Sequence, residues 1–541
     1  MYSDIDNSWT GKPTNTKWSL DQSTNTSVFS LSVENAYTFS QNPSDQALWG
    51  DTIFASRPSN VSKLSTESGD RTSVRKGFAS QGSLTGAMPA WAKDGVVGIA
   101  HDLGSVKEEK AVTFAIGYVR EQAINYMGTA YTGYYRAQYP KTISAVSYFL
   151  DDFSDAQTES LTVDSLMSSK AAEVAGTNHS DIVTLSLRQA YGGIDLVIPN
   201  DTLDTNETLG FIKEISSDGN VNTVDVIMPA FPLYYSMDPE YIRLLLEPVV
   251  RYLATGRWKL PYVIHDIGKD YPNATGHDNQ KAESMPIEET GNLLILAYAY
   301  TVASGNKDWA SNYMGMFQSY ANYLVHNSIN IAKQLSTNDA AGPLVNETNL
   351  AVKAAIGLKA FGALSGLTNY SDIGDEHANL LYGEGLATDL DKTHFVLQYP
   401  HMSNDRTTWK ITFNLYPDVL LNLSTFSQAV YDMESAWYPK VRSEDGVALD
   451  SRQWWAKTDW NIWCAGTSQK ATRDMFVNDL WAFTSNKLNS WPLSDRYVVA
   501  NRASNGRAPV PVGREFALRA RPTVGGHFAL LALKGAKYLS W

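Results

Sequence analysis

The chain has 541 residues and a net charge of −13 at neutral pH, more length than one hydrophobic core usually serves, so two or more domains are expected. Hydrophobic residues at 43% and aromatics at 11% argue against disorder, and the acidic excess disfavours nucleic acid as a partner, since a phosphate-binding surface needs a basic one. No apolar run approaches the roughly 18 residues that cross a bilayer, so no membrane partner is expected. The lone cysteine, Cys464, has no intrachain disulfide partner, and its setting between Trp463 and Ala465 reads as core filler rather than nucleophile.

In chain order, residues 28–140 read as short stretches, among them 74–78, 96–100 and 111–118, broken by clusters of Gly, Ser, Asn and Asp. That pattern predicts a β-sandwich domain over 1–147. From Tyr148 the spacing turns helical. A helical linker is expected over 148–175, and the remainder, 176–541, holds candidate helices at 239–256, 286–303, 309–325, 346–366, 371–386, 459–487 and 524–539. Their number and similar length predict antiparallel hairpins, and a closed ring of hairpins leaves no apolar end to cap. No regular sequence period accompanies them, which argues against a consensus repeat array. The fold class expected is therefore α+β multidomain, a sandwich followed by a helical ring.

Long polar loops between these helices hold the candidate site. His265-Asp266-Ile267-Gly268, followed by Tyr271 to His277, offers an acid that can orient water or hold an ammonium and a hydroxyl with a flat ring at Tyr271. A loop pinned by hydrogen bonds would use the same groups. Met285-Pro286-Ile287-Glu288-Glu289-Thr290-Gly291-Asn292 places Pro286 in the first turn of a helix with both acids behind it, where they also complement the helix dipole. Adjacent residues stand about 100° apart around a helix, so only one of Glu288 and Glu289 is expected to face a central cleft. Gly291 permits close packing or ligand approach.

Leu335 to Pro343 carries Thr337, Asn338 and Asp339, small hydroxyl and amide groups with one acid that suit an amide substrate or a capped turn. Asn346 is placed to cap the helix that follows. Within Asp450 to Trp460, Lys457 and Asp459 set a cation and an anion near a helix start, suited to clamping a zwitterion or to capping. Arg521, ahead of Pro522 to His527, supplies a guanidinium for a carboxylate or braces the last helix. No Gly-x-Ser-x-Gly elbow, His-Glu-x-x-His helix or phosphate-cradling glycine loop occurs in the sequence. His265 and His277 share a loop without a specific metal-ligand spacing, so no metal is expected.

Together with Lys213-Glu214-Ile215-Ser216-Ser217-Asp218-Gly219-Asn220-Val221-Asn222-Thr223-Val224-Asp225-Val226, these blocks resemble the fungal glutaminase A family, in the family order and from about Ala47 to Trp541. The resemblance implies a β-sandwich followed by an (α/α)6 toroid of six hairpins, a secreted or cell-wall-associated protein, and hydrolysis of L-glutamine to L-glutamate and ammonia with no organic cofactor. Sequons at Asn25, Asn60, Asn178, Asn200, Asn206, Asn273, Asn346, Asn369 and Asn422 are compatible with N-glycans on that route. Two positions depart from the family's pattern: Asn338 stands where it tends to have Asp, and Ala340 where it tends to have Phe. The family's leading segment and signal peptide have no counterpart in this sequence, which implies an N-terminal portion removed or left out.

Hydrolysis of a side-chain amide needs a nucleophile, a proton donor for departing ammonia and polarisation of the carbonyl oxygen. Asp266, Glu288, Glu289, Asp339 and Asp459 are the candidate catalytic acids, one of the first four as base and Asp459 with Lys457 or Arg521 at the amino-acid end. His265, Tyr271, Thr337, Asn338 and Trp460 complete the expected substrate contacts, and Thr337 and Thr458 are candidate hydroxyl nucleophiles. The rival readings are a glycoside hydrolase with paired carboxylates in a Trp-rich toroid and a non-catalytic binding module.

Overall fold

A computed structural model describes residues 1–8, 15–41, 47–60, 62–91, 93–399, 407–501 and 510–535. The chain divides into two units, Met1–Thr162 with Leu196–Thr208, and Val163–Asp195 with Leu209–Trp541.

The first unit carries seven strands of a sandwich: β1 (Tyr2–Ile5), β2 (Thr16–Thr24), β3 (Thr26–Val33), β4 (Asp51–Ser56), β5 (Lys63–Asp70), β6 (Gly95–Asp102) and β7 (Phe114–Val119). They form two antiparallel sheets, ordered β1-β6-β5 and β2-β3-β4-β7. Alternation along the strands sorts the side chains between faces. Phe29, Leu31 and Phe54 point to one side of the four-stranded sheet and meet Val97 and Ile99 of the other sheet, which makes the core. Val28, Ile53, Ala55 and Ala115 point the opposite way and pack on Ile143 and Val146 of the Thr142–Asp151 helix. Residues 197–199 return to this unit and pair antiparallel with Gly133, Thr132 and Tyr131.

One expected strand is a helix. Residues 74–78 lie inside Arg71–Gln81, where Asp70 accepts a hydrogen bond from the Ser73 amide at 2.9 Å and Gly82, at φ 70°, closes the last turn in the left-handed conformation. Caps at both ends outweigh the β-propensity of Val74. The segment 148–175 is helical, lying within Thr142–Asp151 and Phe153–Tyr191, and the latter is interrupted by non-helical backbone at Ala175 and Gly176. The division between the units falls inside it.

In the second unit helices alternate between an inner and an outer position. The inner set is Val224–Met237, Pro286–Ser304, Thr348–Ser365, Phe413–Leu415 with Tyr416–Leu420, Thr458–Gly466, and Pro522–Phe528 with Ala529–Ala532. Each packs on the next and the last packs on the first, so the set closes into a ring. Each is preceded in the chain by an outer helix: the end of Phe153–Tyr191, then Glu240–Ala254, Met314–Asn327, Thr368–Ala378, Gln428–Val441 and Lys470–Ser485. Six outer–inner hairpins are the (α/α)6 toroid. The inner position follows from composition, since Val224–Met237 is apolar nearly all round and buried along its whole length.

Pro229 and Pro232 sit inside that helix and conceal it from a sequence reading. Pro229 has no N–H to give to the Asp225 carbonyl, and the Thr337 hydroxyl reaches that carbonyl from a neighbouring loop at 3.5 Å. Other boundaries shift as well. The 309–325 segment is two helices, Asp308–Ser311 and Met314–Asn327, and 459–487 turns back at 467–469 between Thr458–Gly466 and Lys470–Ser485. The 371–386 helix ends at Ala378 and passes into a π turn, Asn379–Gly383. Asn346 does not cap the Thr348–Ser365 helix; its backbone is left-handed at φ 48° and the helix begins after Glu347. The 524–539 segment is a 3-10 run, Pro522–Phe528, followed by Ala529–Ala532, and 536–539 lie outside the described residues. No helix among the described residues is long and apolar enough to cross a membrane.

Candidate functional site

Four of the six inner segments present their N-terminal ends to one cavity of about 340 Å³, to which they contribute Asp225, Met285, Lys457 and Arg521. Loops and turns add Glu214, His265, Glu283, Thr337, Asn338, Asp339 and Ala340, and the paired strands Trp455–Lys457 and Arg496–Val498 add Trp455 and Arg496. The five blocks singled out by sequence therefore meet at one mouth. A cavity of similar size in the first unit, about 350 Å³, draws on none of them.

His265 is buried and lines the cavity. Its Nδ1 donates to Asp266 Oδ2 at 2.9 Å, and Asp266 Oδ1 in turn accepts from His277 Nε2 at 2.6 Å and from the Gly268 amide at 2.9 Å. The other ring nitrogen, Nε2, looks toward Asp225 Oδ1 at 3.6 Å and Glu283 Oε2 at 3.7 Å. Glu289 completes the group: donor atoms of Asp225, His265 and Glu289 lie within 4.8 Å of one another, and all three residues are buried. Asn292 Nδ2 holds Glu289 Oε2 at 3.1 Å.

The cations of the lining are internally braced. Lys457 Nζ contacts Asp495 Oδ2 at 2.5 Å and Asp459 Oδ2 at 3.3 Å. Arg521 reaches Asp495 Oδ2 at 2.9 Å and Glu214 Oε1 at 3.4 Å, and the Thr523 hydroxyl also donates to Asp495, at 2.7 Å.

Burial sets the protonation of this region. It pushes the Asp225 carboxyl up to about 7, with the charges of Glu214 and Glu288 adding to the rise against the pull of His265. Burial, then the charge of Asp225, raises Glu289 well above the carboxylate range. Burial disfavours a charged His265, yet its hydrogen bond to Asp266 and the surrounding acids outweigh that and hold it well above its ordinary value. Asp266 is likewise buried, and the two imidazoles that donate to it hold it well below the carboxylate range.

Residues 176–531 match the family profile of the glutaminase A six helical-hairpin domain. The chain belongs to the glutaminase A six-helical-hairpin family. Residues 1–170 match a domain of unknown function, DUF5127. Glutaminase A of Aspergillus oryzae is 33% identical over 515 residues, covering 92% of this chain and 71% of that protein. An Arthroderma benhamiae protein named "Probable glutaminase" is 26% identical over 519 residues, covering 79% of this chain and 58% of its own length. Among solved structures, a bacterial glucoamylase complexed with acarbose aligns with a TM-score of 0.44 at 8% identity, over 96% of this chain and 81% of that one.

Within this glutaminase A family toroid, six of the expected site residues line the cavity: His265, Thr337, Asn338, Asp339, Lys457 and Arg521. Asp266 stands behind His265, and Asp459 behind Lys457. Glu288 and Glu289 are both buried and neither lines the cavity, although they turn to different partners. Glu289 turns to His265, while Glu288 turns into the ring and pairs with Lys353, both side chains buried. Three residues lie away from the cavity. Tyr271 donates its hydroxyl to Asp195, Trp460 stacks on Phe413 at 4.1 Å, and Thr458 is fully buried at its helix start.

Glu214, Asp225, Glu283, Trp455 and Arg496 also line the cavity, and none of them is assigned a role by sequence reasoning. Glu214 and Asp225 lay inside the quoted family phrase. The available signal was an acid, Asp225, between Val224 and Val226 at the head of an apolar run. Glu283 and Arg496 carry no comparable signal.

Proposed function

We propose that this cavity hydrolyses the side-chain amide of L-glutamine, giving L-glutamate and ammonia. The observation that carries the reading is the presence of both signs of charge in the lining of one small cavity. Lys457, Arg496 and Arg521 line it together with Glu214, Asp225, Glu283 and Asp339. A free amino acid needs both signs, a guanidinium or ammonium for its carboxylate and an acid for its ammonium. A neutral sugar ring needs no cations in the lining, which weighs against the glycoside hydrolase alternative. The relatives named glutaminase support the same reading.

With the α-carboxylate at Arg521 and Lys457, the amide extends toward Asn338 and His265. Asn338 is 5% exposed and its Nδ2 has no hydrogen-bond partner among the described residues, so it is a ready donor to the carbonyl oxygen as negative charge develops there. Glu283, beside His265 Nε2 and the most open of the acids around it at 36% side-chain exposure, takes a proton from the attacking water and returns it to the departing ammonia. The amide C–N bond breaks, a C–O bond to the water oxygen forms, and glutamate and ammonium leave.

Ammonia release from L-glutamine by the purified protein, run beside L-asparagine and a reducing-sugar assay on glycans, is the test. Activity on glutamine that falls about 10²–10⁴-fold in Glu283→Gln is expected; sugar release, or silence on glutamine, overturns the reading. We extend the proposal to a secreted or cell-wall-associated protein with N-glycans on exposed sequons such as Asn25, Asn206, Asn369 and Asn422. Native protein whose mass is unchanged by endoglycosidase refutes the glycan part.

A further inference from the structure

We infer that Asp225, His265 and Glu289 form a binding site for one divalent first-row transition-metal ion, Zn²⁺ before others, at the cavity. Three different segments bring them together: the heads of the Val224–Met237 and Pro286–Ser304 helices and the loop that holds His265. Closure of the helical ring therefore fixes the cluster before any ion arrives. Their donor atoms lie within 4.8 Å of one another, so side-chain rotations of about 1 Å bring them to the roughly 2.0–2.2 Å bond lengths of such an ion.

Three observations point to a cation. The first is the partner of His265. Its Nδ1 donates to Asp266, itself fixed by His277 and the Gly268 amide, which leaves Nε2 aimed at Asp225. A carboxylate behind a histidine in this way orients imidazole ligands and raises their basicity. The second is the charge balance of buried acids in this unit. Glu288 pairs with Lys353, Glu347 with Lys410, and Asp495 with Lys457 and Arg521. Among the described residues, neither Asp225 nor Glu289 has a Lys or Arg within ion-pair distance. The third is Glu289 itself, fully buried with its Oε1 lacking any hydrogen-bond partner among the described residues. Two buried acids with no Lys or Arg beside them among the described residues carry a desolvation cost that a divalent ion offsets.

One imidazole nitrogen and two carboxylate oxygens form a mixed set that suits zinc, manganese, iron or cobalt; calcium and magnesium prefer oxygen alone. Asp225 and His265 line the cavity, so the ion's remaining positions face the space where Glu283 and Asn338 also project. The inference rests on the glutaminase reading only for what the ion would do there, not for whether it binds.

The test is metal analysis of the whole protein, purified without chelator and again after chelator treatment and reloading with Zn²⁺, Mn²⁺ or Co²⁺. About one equivalent bound per chain is expected, with a rise in unfolding temperature on reloading and visible absorption from the Co²⁺ form. Glu289→Gln and Asp225→Asn should lose the ion, and Glu283→Gln should keep it. If the stripped wild-type protein takes up none of the three ions, or Glu289→Gln binds as the wild type does, the site is overturned. These readouts separate from ammonia release. Metal bound with no glutamine turnover keeps the site and removes the function proposed above; turnover by protein that takes up no ion does the reverse.

Discussion

Replacing Glu288 by Gln should unfold the toroid early while leaving its chemistry intact. Lys353 Nζ is held by the Glu288 carboxylate and by Asn292 Oδ1 at 2.6 Å, and the Glu288 and Lys353 side chains are 1% and 0% exposed. The lysine stem is also committed, since it passes so close to the neighbouring helix that a Cβ on Gly291 would lie 2.6 Å from Lys353 Cγ. The ammonium therefore has nowhere to go when its partner is neutralised. Leaving one member of a buried pair uncompensated costs about 3–5 kcal/mol, against a total stability of about 5–15 kcal/mol for a typical protein. Removing both charges, as in Glu288→Gln with Lys353→Met, should return most of that, because pairs replaced together are about neutral in stability. Urea unfolding followed by far-ultraviolet circular dichroism on wild type, both singles and the double gives the coupling directly. A Glu288→Gln midpoint equal to wild type, or a double variant no more stable than the single, would refute the assignment of Glu288 to the scaffold. So would loss of turnover in protein that remains folded.

Asn338→Ala should lower kcat by about 10²–10³-fold with a smaller change in KM, as removal of a donor used in the transition state does; equal turnover excludes it from that role. Two buried groups should tilt the pH dependence of stability in opposite directions. Burial, with the charge of His179 adding, lowers His527 to about 3, so below the ordinary 6.5 the unfolded chain takes up a proton that the folded one refuses. Its contribution is present above 6.5 and is lost as pH falls, by about 1.4 kcal/mol per unit. Burial raises Glu434 to about 7 from 4.5, so its contribution is present below 4.5 and is lost at a similar slope as pH rises toward 7. Unfolding curves between pH 4.5 and 6.5 should show His527→Gln gaining relative stability toward acid and Glu434→Gln gaining it toward neutrality; parallel profiles would contradict both. Gly526→Ala should cost about 1–3 kcal/mol, because the new Cβ would meet the Pro229 carbonyl oxygen at 2.8 Å and Asp459 Cβ at 2.9 Å; an unchanged unfolding temperature would show that the inner helices can separate at no cost.

The sandwich and the ring were legible where side-chain period and burial agree. Val97 and Ile99 alternate into the core of one unit, and the Pro286–Ser304 and Thr348–Ser365 helices run where their apolar stretches lie. Legibility failed where a local rule was overruled by a distant group. Two prolines hid Val224–Met237, since the hydroxyl that meets the freed Asp225 carbonyl lies on Thr337, more than a hundred residues away in the chain. The site blocks could be found because polar side chains crowd loops between apolar helices. Their roles could not, because each depends on a partner contributed by another element. Trp460 spends its ring on Phe413 and Tyr271 its hydroxyl on Asp195, and nothing near either residue in the sequence announces that partner.

Acids in the first turn of a helix usually need no explanation beyond the helix dipole, and the inner helices carry five buried ones: Asp225, Glu288, Glu289, Asp418 and Asp459. The dipole contributes at most about 2 kcal/mol, less than the several kcal/mol needed to take a carboxylate out of water. Each acid therefore requires something more, and what it has found separates structure from chemistry. Glu288 has Lys353, Asp459 has Lys457, and Asp418 accepts from the Thr425 and Phe426 amides and the Tyr431 hydroxyl, so those three belong to the frame of the ring. Asp225 and Glu289, which have neither Lys nor Arg beside them among the described residues, are the two that stand next to His265 at the cavity. A family toroid that matched every buried acid with its own lysine would be more stable and would have nothing left to present to a ligand. Proteins spend stability at their sites in this way. Removing the charge from one of them, by Glu289→Gln, should accordingly raise the unfolding temperature or leave it unchanged while abolishing both metal uptake and turnover; retention of either activity would show that the unmatched acids are not the working ones.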